Sequence, residues 1–207
     1  GLRVENSRFT NGEGGIYVTA PSNSVGNGTV VTGNVFEQTG GNAYSSAVYL
    51  TYHDHVEIRQ NTMAGFNDTI ELNECDGSVR VEQNAIASGT TGIKVQNATI
   101  ENGGTVSILR NRVAVTGMGL YLYGSTGTAE QPIRVWNNTV SGGGNGIELY
   151  WDRDRTQWSW VHGQVEMATL YLDPNDFLRR TEFMGNALQS DHDAIDEYEA
   201  QRPAWLG

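Results

Sequence analysis

The sequence predicts an all-β solenoid of about six coils, and three observations carry that prediction. A short phrase recurs six times at a nearly constant step, a second phrase follows it at a fixed offset, and apolar and polar residues alternate inside both.

The first phrase has the form apolar-x-apolar-x-x-Asn-x-apolar. Its copies read LRVENSRF, TVVTGNVF, VEIRQNTM, VRVEQNAI, VSILRNRV and IRVWNNTV, anchored on Ser7, Asn34, Asn61, Asn84, Asn111 and Asn138, with steps of 27, 27, 23, 27 and 27 residues. The second phrase, read as Gly-apolar-x-apolar, begins its apolar run at Ile16, Val48, Ile70, Ile93, Leu120 and Ile147. It starts nine residues after the anchor in every copy but the second, where the offset is 14. The extra residues fall around Thr39 to Ser46, at one corner, where a stacked repeat tolerates insertions because the corner is a surface loop.

Alternation within each phrase is the two-residue period of a strand with one buried face. Stacked coils place like residues about 4.7–4.9 Å apart, so the text yields core columns. One runs Val4, Val31, Ile58, Val81, Ile108, Val135, and another Phe9, Phe36, Met63, Ile86, Val113, Val140. The anchor asparagines suit a tight corner, since Asn tolerates left-handed backbone and its amide can bond the next Asn up the stack.

These columns and the asparagine ladder resemble the right-handed parallel β-helix proteins of the pectate-lyase-like superfamily, including the parallel β-helix repeats of NosD-type and carbohydrate-processing proteins. The resemblance covers residues 1–151. It implies a right-handed parallel β-helix, a carbohydrate ligand on an outward sheet face, and an extracellular, cell-surface or periplasmic location. The paired aspartates of polygalacturonases are not found. Asp173-Pro174-Asn175-Asp176 departs at its third residue from the Asp-Pro-His-Asp type motif of alginate epimerases.

Residues 152–207 read as an irregular and helical cap. Asp173 followed by Pro174 suits a helix N-terminus, with Phe177, Leu178, Met184 and Leu188 on one face. Ser190 with Asp193 reads as a capping box ahead of Ile195 and Tyr198. Gly1 leads straight into a full coil, so the expectation is a segment of a longer chain, or an end covered by another subunit.

Composition narrows the ligands. A formal net charge of −11 repels nucleic acid and anionic lipid unless a basic patch stands out, and none is evident. No apolar run approaches the roughly 18 residues of a membrane helix. Cys75 is the single cysteine, so no internal disulfide forms.

The positions of the second phrase that point outward line a ladder. Its first column is Tyr17, Tyr49, Glu71, Lys94, Tyr121, Glu148 and its second Thr19, Thr51, Asn73, Gln96, Tyr123, Tyr150. Tyrosines beside carboxylates, amides and an ammonium form a mixture that binds sugars, by ring stacking and by hydrogen bonds to hydroxyls. On the other face Glu57 sits one coil below Arg80, and Arg59 below Glu82, as cross-strand ion pairs.

Glu71 and Glu148 are three coils apart, roughly 14 Å, too far for the carboxyl pair of a glycosidase. A uronate lyase or epimerase needs a base for the C5 proton and a cation for the substrate carboxylate, roles open to Lys94 and Tyr121. Glu71 beside Lys94 favours the ammonium, which leaves Tyr121 as base; the bland alternative is a solvated face with a Glu71–Lys94 pair. His53, Asp54 and His55 with Glu74, Cys75 and Asp76 could in principle ligate a metal, but their spacing matches no zinc signature and polar turns are expected there. Asp152 and Asp154 could hold Ca²⁺, though Arg153 and Arg155 interleave with them. The functional expectation is a carbohydrate-processing β-helix, as a polysaccharide lyase or epimerase. The alternatives are a non-catalytic carbohydrate-binding or adhesion module and a structural segment of a larger protein. Glu71, Lys94 and Tyr121 are the catalytic candidates; Tyr49, His53, Asn73, Gln96, Tyr123, Glu148 and Tyr150 are the ligand-binding candidates.

Overall fold

A computed structural model describes residues 1–21, 28–40, 44–98, 104–125, 133–141 and 146–147, and the backbone alone of 26–27, 142, 148–150 and four strands between 159 and 188. The chain winds as a solenoid with three walls of parallel strands, and no helix occurs among the described residues. Wall one stacks Arg3–Glu5, Val30–Thr32, His53–Arg59, Asp76–Glu82, Val106–Leu109 and the first half of Ile133–Gly142. Wall two stacks Arg8–Thr10, Val35–Glu37, Thr62–Ala64, Ala85–Gly89, Arg112–Val115 and the second half of Ile133–Gly142. Wall three stacks Ile16–Thr19, Val48–Thr51, Asp68–Asn73, Thr91–Gln96, Leu120–Tyr123, Ile147–Tyr150 and Leu170–Leu172.

Register follows the columns read from the text. Val4, Val31, Ile58, Val81, Ile108 and Val135 lie on successive rungs, as do Phe9, Phe36, Met63, Ile86, Val113 and Val140. From Val31 and Phe36 upward all of these are buried, and Phe9 stacks on Phe36 with ring centroids 4.7 Å apart. An in-register parallel stack lets one β-branched or aromatic type fill a whole column, since each rung meets the same neighbours.

The asparagine ladder bonds up the stack, but the left-handed residue is its neighbour. Positive φ falls one position earlier, at Asn6, Gly33, Gln60, Gln83, Arg110 and Asn137. The anchor asparagines themselves are buried. Asn61 shows the pattern: its backbone N–H and Nδ2 both donate to Asn84 Oδ1 at 3.0 and 2.9 Å, and Nδ2 also donates to Val31 O at 3.0 Å. The turn thus uses the exposed residue for backbone shape and the buried one for satisfying polar groups.

Glycine in the second phrase also has a packing cause. A Cβ on Gly92 would stand 2.5 Å from Gly119 O, and one on Gly119 the same distance from Gly146 O, besides meeting core valines. Ala47 and Thr69 occupy this column in the second and third coils, so glycine is not uniform there.

Strands continue past Trp151, which corrects the helical cap. Ser159–Val165 pairs in parallel with Ile133–Gly142, and Thr181–Phe183 and Ala187–Leu188 pair with Ser159–Val165. Val161 and Phe183 extend the Val135 column, and Val165 and Leu188 extend that of Val140. The open edge of the last complete rung offers a row of backbone donors and acceptors, and pairing with it outweighs the helical spacing that had included Leu188. Asp173, Pro174, Phe177, Leu178, Met184 and the second expected helix lie outside the described residues.

Candidate functional site

Wall three brings the predicted ladder together. Tyr17, Tyr49, Glu71, Lys94, Tyr121 and Glu148 occupy successive rungs, and so do Thr19, Thr51, Asn73, Gln96, Tyr123 and Tyr150. At its first rungs Tyr17 and Tyr49 stack with centroids 4.4 Å apart and planes 5° from parallel. Tyr17 is 72% exposed and Tyr44, on the lengthened corner, 94%. Together with Glu13, Gly14, Gly15, Ser46 and Glu71 these tyrosines line an open cleft of about 430 Å³.

One rung above Glu71 stands Lys94, the only lysine of the chain. Its Nζ lies 3.0 Å from Glu71 Oε1 and 3.6 Å from Asp68 Oδ2, with all three side chains mostly buried. Burial works against the ammonium, but the hydrogen bond it donates to Glu71 and the charges of Asp68 and Glu71 outweigh it, so Lys94 titrates above the ordinary lysine range. It is a fixed cation inside a group that carries a formal −1. Tyr121 is on the next rung and lies near Tyr123, centroids 6.3 Å apart. Asn73, Gln96, Tyr121 and Tyr123 are half-buried and continue the ladder as a polar surface.

Two expectations change. Thr51, outward by alternation, is buried, and its Oγ1 makes no hydrogen bond. His53 is also buried, with Nδ1 2.9 Å from Thr29 Oγ1, so it belongs to the corner and does not reach the groove. Tyr52, at φ 59, turns the chain between them, and the two-residue period ends at that turn. Removal from water lowers the His53 pKa below its ordinary value. Cys75, one rung on, is buried with Sγ 3.6 Å from Leu50 O, and burial pushes its thiol up to about 11. Among the described residues no group of three or more His, Cys, Asp and Glu is placed to hold a metal ion, and Asp152 and Asp154 lie outside them.

On wall one the register pairs Arg80 with Glu57 and Glu82 with Arg59, yet the ions bond mostly along the strand. Arg59 Nε meets Glu57 at 3.1 Å, Arg80 meets Glu82, and Arg110 Nη1 reaches the same Glu82 at 3.0 Å. Residues two apart share a strand face, so a long arginine finds the carboxylate beside it as readily as the one across.

Sequence reasoning missed Asp68, Glu13 and Tyr44. Asp68 precedes the strand's alternating stretch, because Thr69 and Ile70 are both buried and the period breaks there. The inserted corner was the available signal for Tyr44.

A search of curated proteins finds no match to this chain. A family model described as a right-handed beta helix region matches residues 1–158, most of the chain. With the parallel three-walled stack and its in-register columns, that match makes the chain a member of the right-handed β-helix family.

Proposed function

We propose that wall three is a carbohydrate-binding face and that its ligand is a glycan of low charge. The observation that carries this reading is the solvent-facing Tyr17–Tyr49 stack at the mouth of a cleft edged by Glu13 and Glu71. Flat ring faces take the apolar side of a pyranose, and the carboxylates accept bonds from its hydroxyls. Further rungs of amide and tyrosine side chains, Asn73, Gln96, Tyr121 and Tyr123, give an extended chain successive polar contacts. Glu148 and Tyr150 continue the same backbone rungs. The charge of the Asp68, Glu71 and Lys94 group weighs against a polyuronate, since its one cation is already engaged by two carboxylates.

The test is a glycan array followed by titration calorimetry on the best neutral oligosaccharide. Tyr49→Ala weakens binding about tenfold, the order expected when a stacking ring is removed. Failure of every neutral glycan to bind, or full affinity in Tyr49→Ala and Tyr17→Ala alike, overturns the reading.

A second reading, a lyase or epimerase of acidic polysaccharide, is supported by one feature, a lysine held as a cation one rung from Tyr121. It requires a uronate carboxylate to displace Glu71 or Asp68 from Lys94 and Tyr121 to act as its phenolate. The phenolate takes the C5 proton, after which the C4–O4 bond breaks and O4 leaves with a proton in a lyase, or a proton returns to the opposite face of C5 in an epimerase. Release of unsaturated uronate products that disappears in Lys94→Ala would favour it.

A further inference from the structure

Charge on the solenoid is segregated by corner. Of the eight cations in residues 1–150, seven are arginines of walls one and two and their corner, and only Lys94 is on wall three. In the first coils they are matched, with Arg3 on Glu5 and Arg8 on Glu37, both at 2.6 Å. Higher up they are not. Arg59, Arg80, Arg110, Arg112 and Arg134 share the corner between walls one and two and the strand ends beside it with two carboxylates, Glu57 and Glu82, a formal +3, while Asp54 and Asp76 stand at the far ends of the same wall-one strands. Glu82 is buried and holds both Arg80 and Arg110, whose side chains remain more than half exposed, so two guanidinium forks are fixed in place before any partner arrives.

The corner between walls three and one has the opposite sign. Asp54 and Asp76 occupy adjacent rungs, and Glu74 sits in the turn just before Asp76. All three are partly exposed, the carboxylates summing to a formal −3, and the His55 ring lies on Asp54 with Nδ1 3.0 Å from Oδ1. Both stripes run along the coil axis with the same rung spacing, about 4.8 Å. They lie at different corners, so one copy can offer both at once.

From this we infer that the occupant of the arginine stripe is a second copy of this chain, docked through its Asp54–Glu74–Asp76 corner. The contact is heterologous: one surface meets a different one, so successive copies add side by side in an open row rather than closing as a dimer. Arginine suits the task because its fork takes a carboxylate by two parallel hydrogen bonds. The net charge of −11 opposes association at long range, but with a Debye length of about 8 Å at physiological ionic strength the facing stripes decide. This inference is independent of the glycan reading, because neither stripe includes the tyrosine cleft.

Sedimentation velocity over a concentration series at physiological ionic strength tests it. The expected result is a weight-average mass that rises with concentration without levelling at a dimer, and falls back in molar salt. Arg59→Glu with Arg112→Glu leaves Glu82 and its two arginines intact and weakens association at least about tenfold. Glu74→Lys with Asp76→Lys does the same, and mixing the two reversed proteins restores association as hetero-pairs. Circular dichroism checks that each folds. A chain that stays monomeric throughout overturns the inference. So does association indifferent to both reversals, which would mark pairing at the strand edges, and so does a monomer that instead binds heparin or nucleic acid through Arg59 and Arg112.

Discussion

Replacing Asn84 by leucine tests the element that sets the coil spacing, and its cost can be worked out bond by bond. Asn84 Oδ1 accepts the backbone N–H of Asn61 at 3.0 Å and its Nδ2 at 2.9 Å, while Asn84 Nδ2 donates to Ile58 O and Asn111 Oδ1, both at 3.0 Å. Leucine fits the volume but leaves the Asn61 N–H and one Asn61 amide proton buried without acceptors. Asn111 Oδ1 keeps the backbone N–H at position 84 and is not orphaned. Two orphaned donors cost about 1–3 kcal/mol each. Apolar burial of the new side chain returns about 1 kcal/mol, so the net loss is about 3 kcal/mol. The assay is urea unfolding followed by far-UV circular dichroism and by tryptophan fluorescence; coincident curves license a single free energy. Ser7→Ala is the control at the exposed first rung, where Oγ bonds only Glu5 O, and it shifts stability by less than about 0.5 kcal/mol. A loss below about 1 kcal/mol for Asn84→Leu would refute the view that the ladder is a buried polar network with no spare partners.

Gly119→Ala forces a methyl group against Val140 and to 2.5 Å from Gly146 O, so it destabilises by about 1–3 kcal/mol in the same urea assay. Cys75, buried and with its thiol pushed up to about 11, stays unmodified by a thiol reagent at neutral pH in the native protein and reacts once urea unfolds it. For His53 the folded pKa lies below the ordinary 6.5, so stability is complete above that value. It declines as pH falls beneath it, because the unfolded chain takes up the proton first. Urea midpoints measured at about pH 7 and pH 5 converge in His53→Gln relative to the parent.

How much was legible depended on which residues the stacking constrains. Ile58 and Met63 could be assigned to columns from the text alone, because a buried position in a stack of identical rungs admits few residue types and the 27-residue step exposes the repetition. The wall-three ladder was readable for the same reason, by alternation from Ile93 to Gln96. Corners were harder. The left-handed residue is Gln83 rather than Asn84, since the peptide must turn before the amide can point inward, and a glutamine there carries no signal. Thr51 fell on the wrong side of the surface because a period of two holds only while the strand is straight, and His53, just past the turn at Tyr52, packs into the corner. The partnering of Lys94 with Asp68 as well as Glu71 depends on how a long side chain lies across a rung, which spacing does not encode. Thr181–Phe183 and Ala187–Leu188 became strands through long-range pairing that local spacing could not express.

The lengthened second turn has a consequence for how such a molecule changes over generations. Every rung is fixed by its neighbours through Asn34, Asn61 and their kin, whereas the segment bearing Tyr44 adds residues without disturbing that ladder. Selection can therefore lengthen, trim or recolour the rim of the cleft while the scaffold beneath it is untouched, and a new shape or charge at that rim need not be bought with a weaker fold.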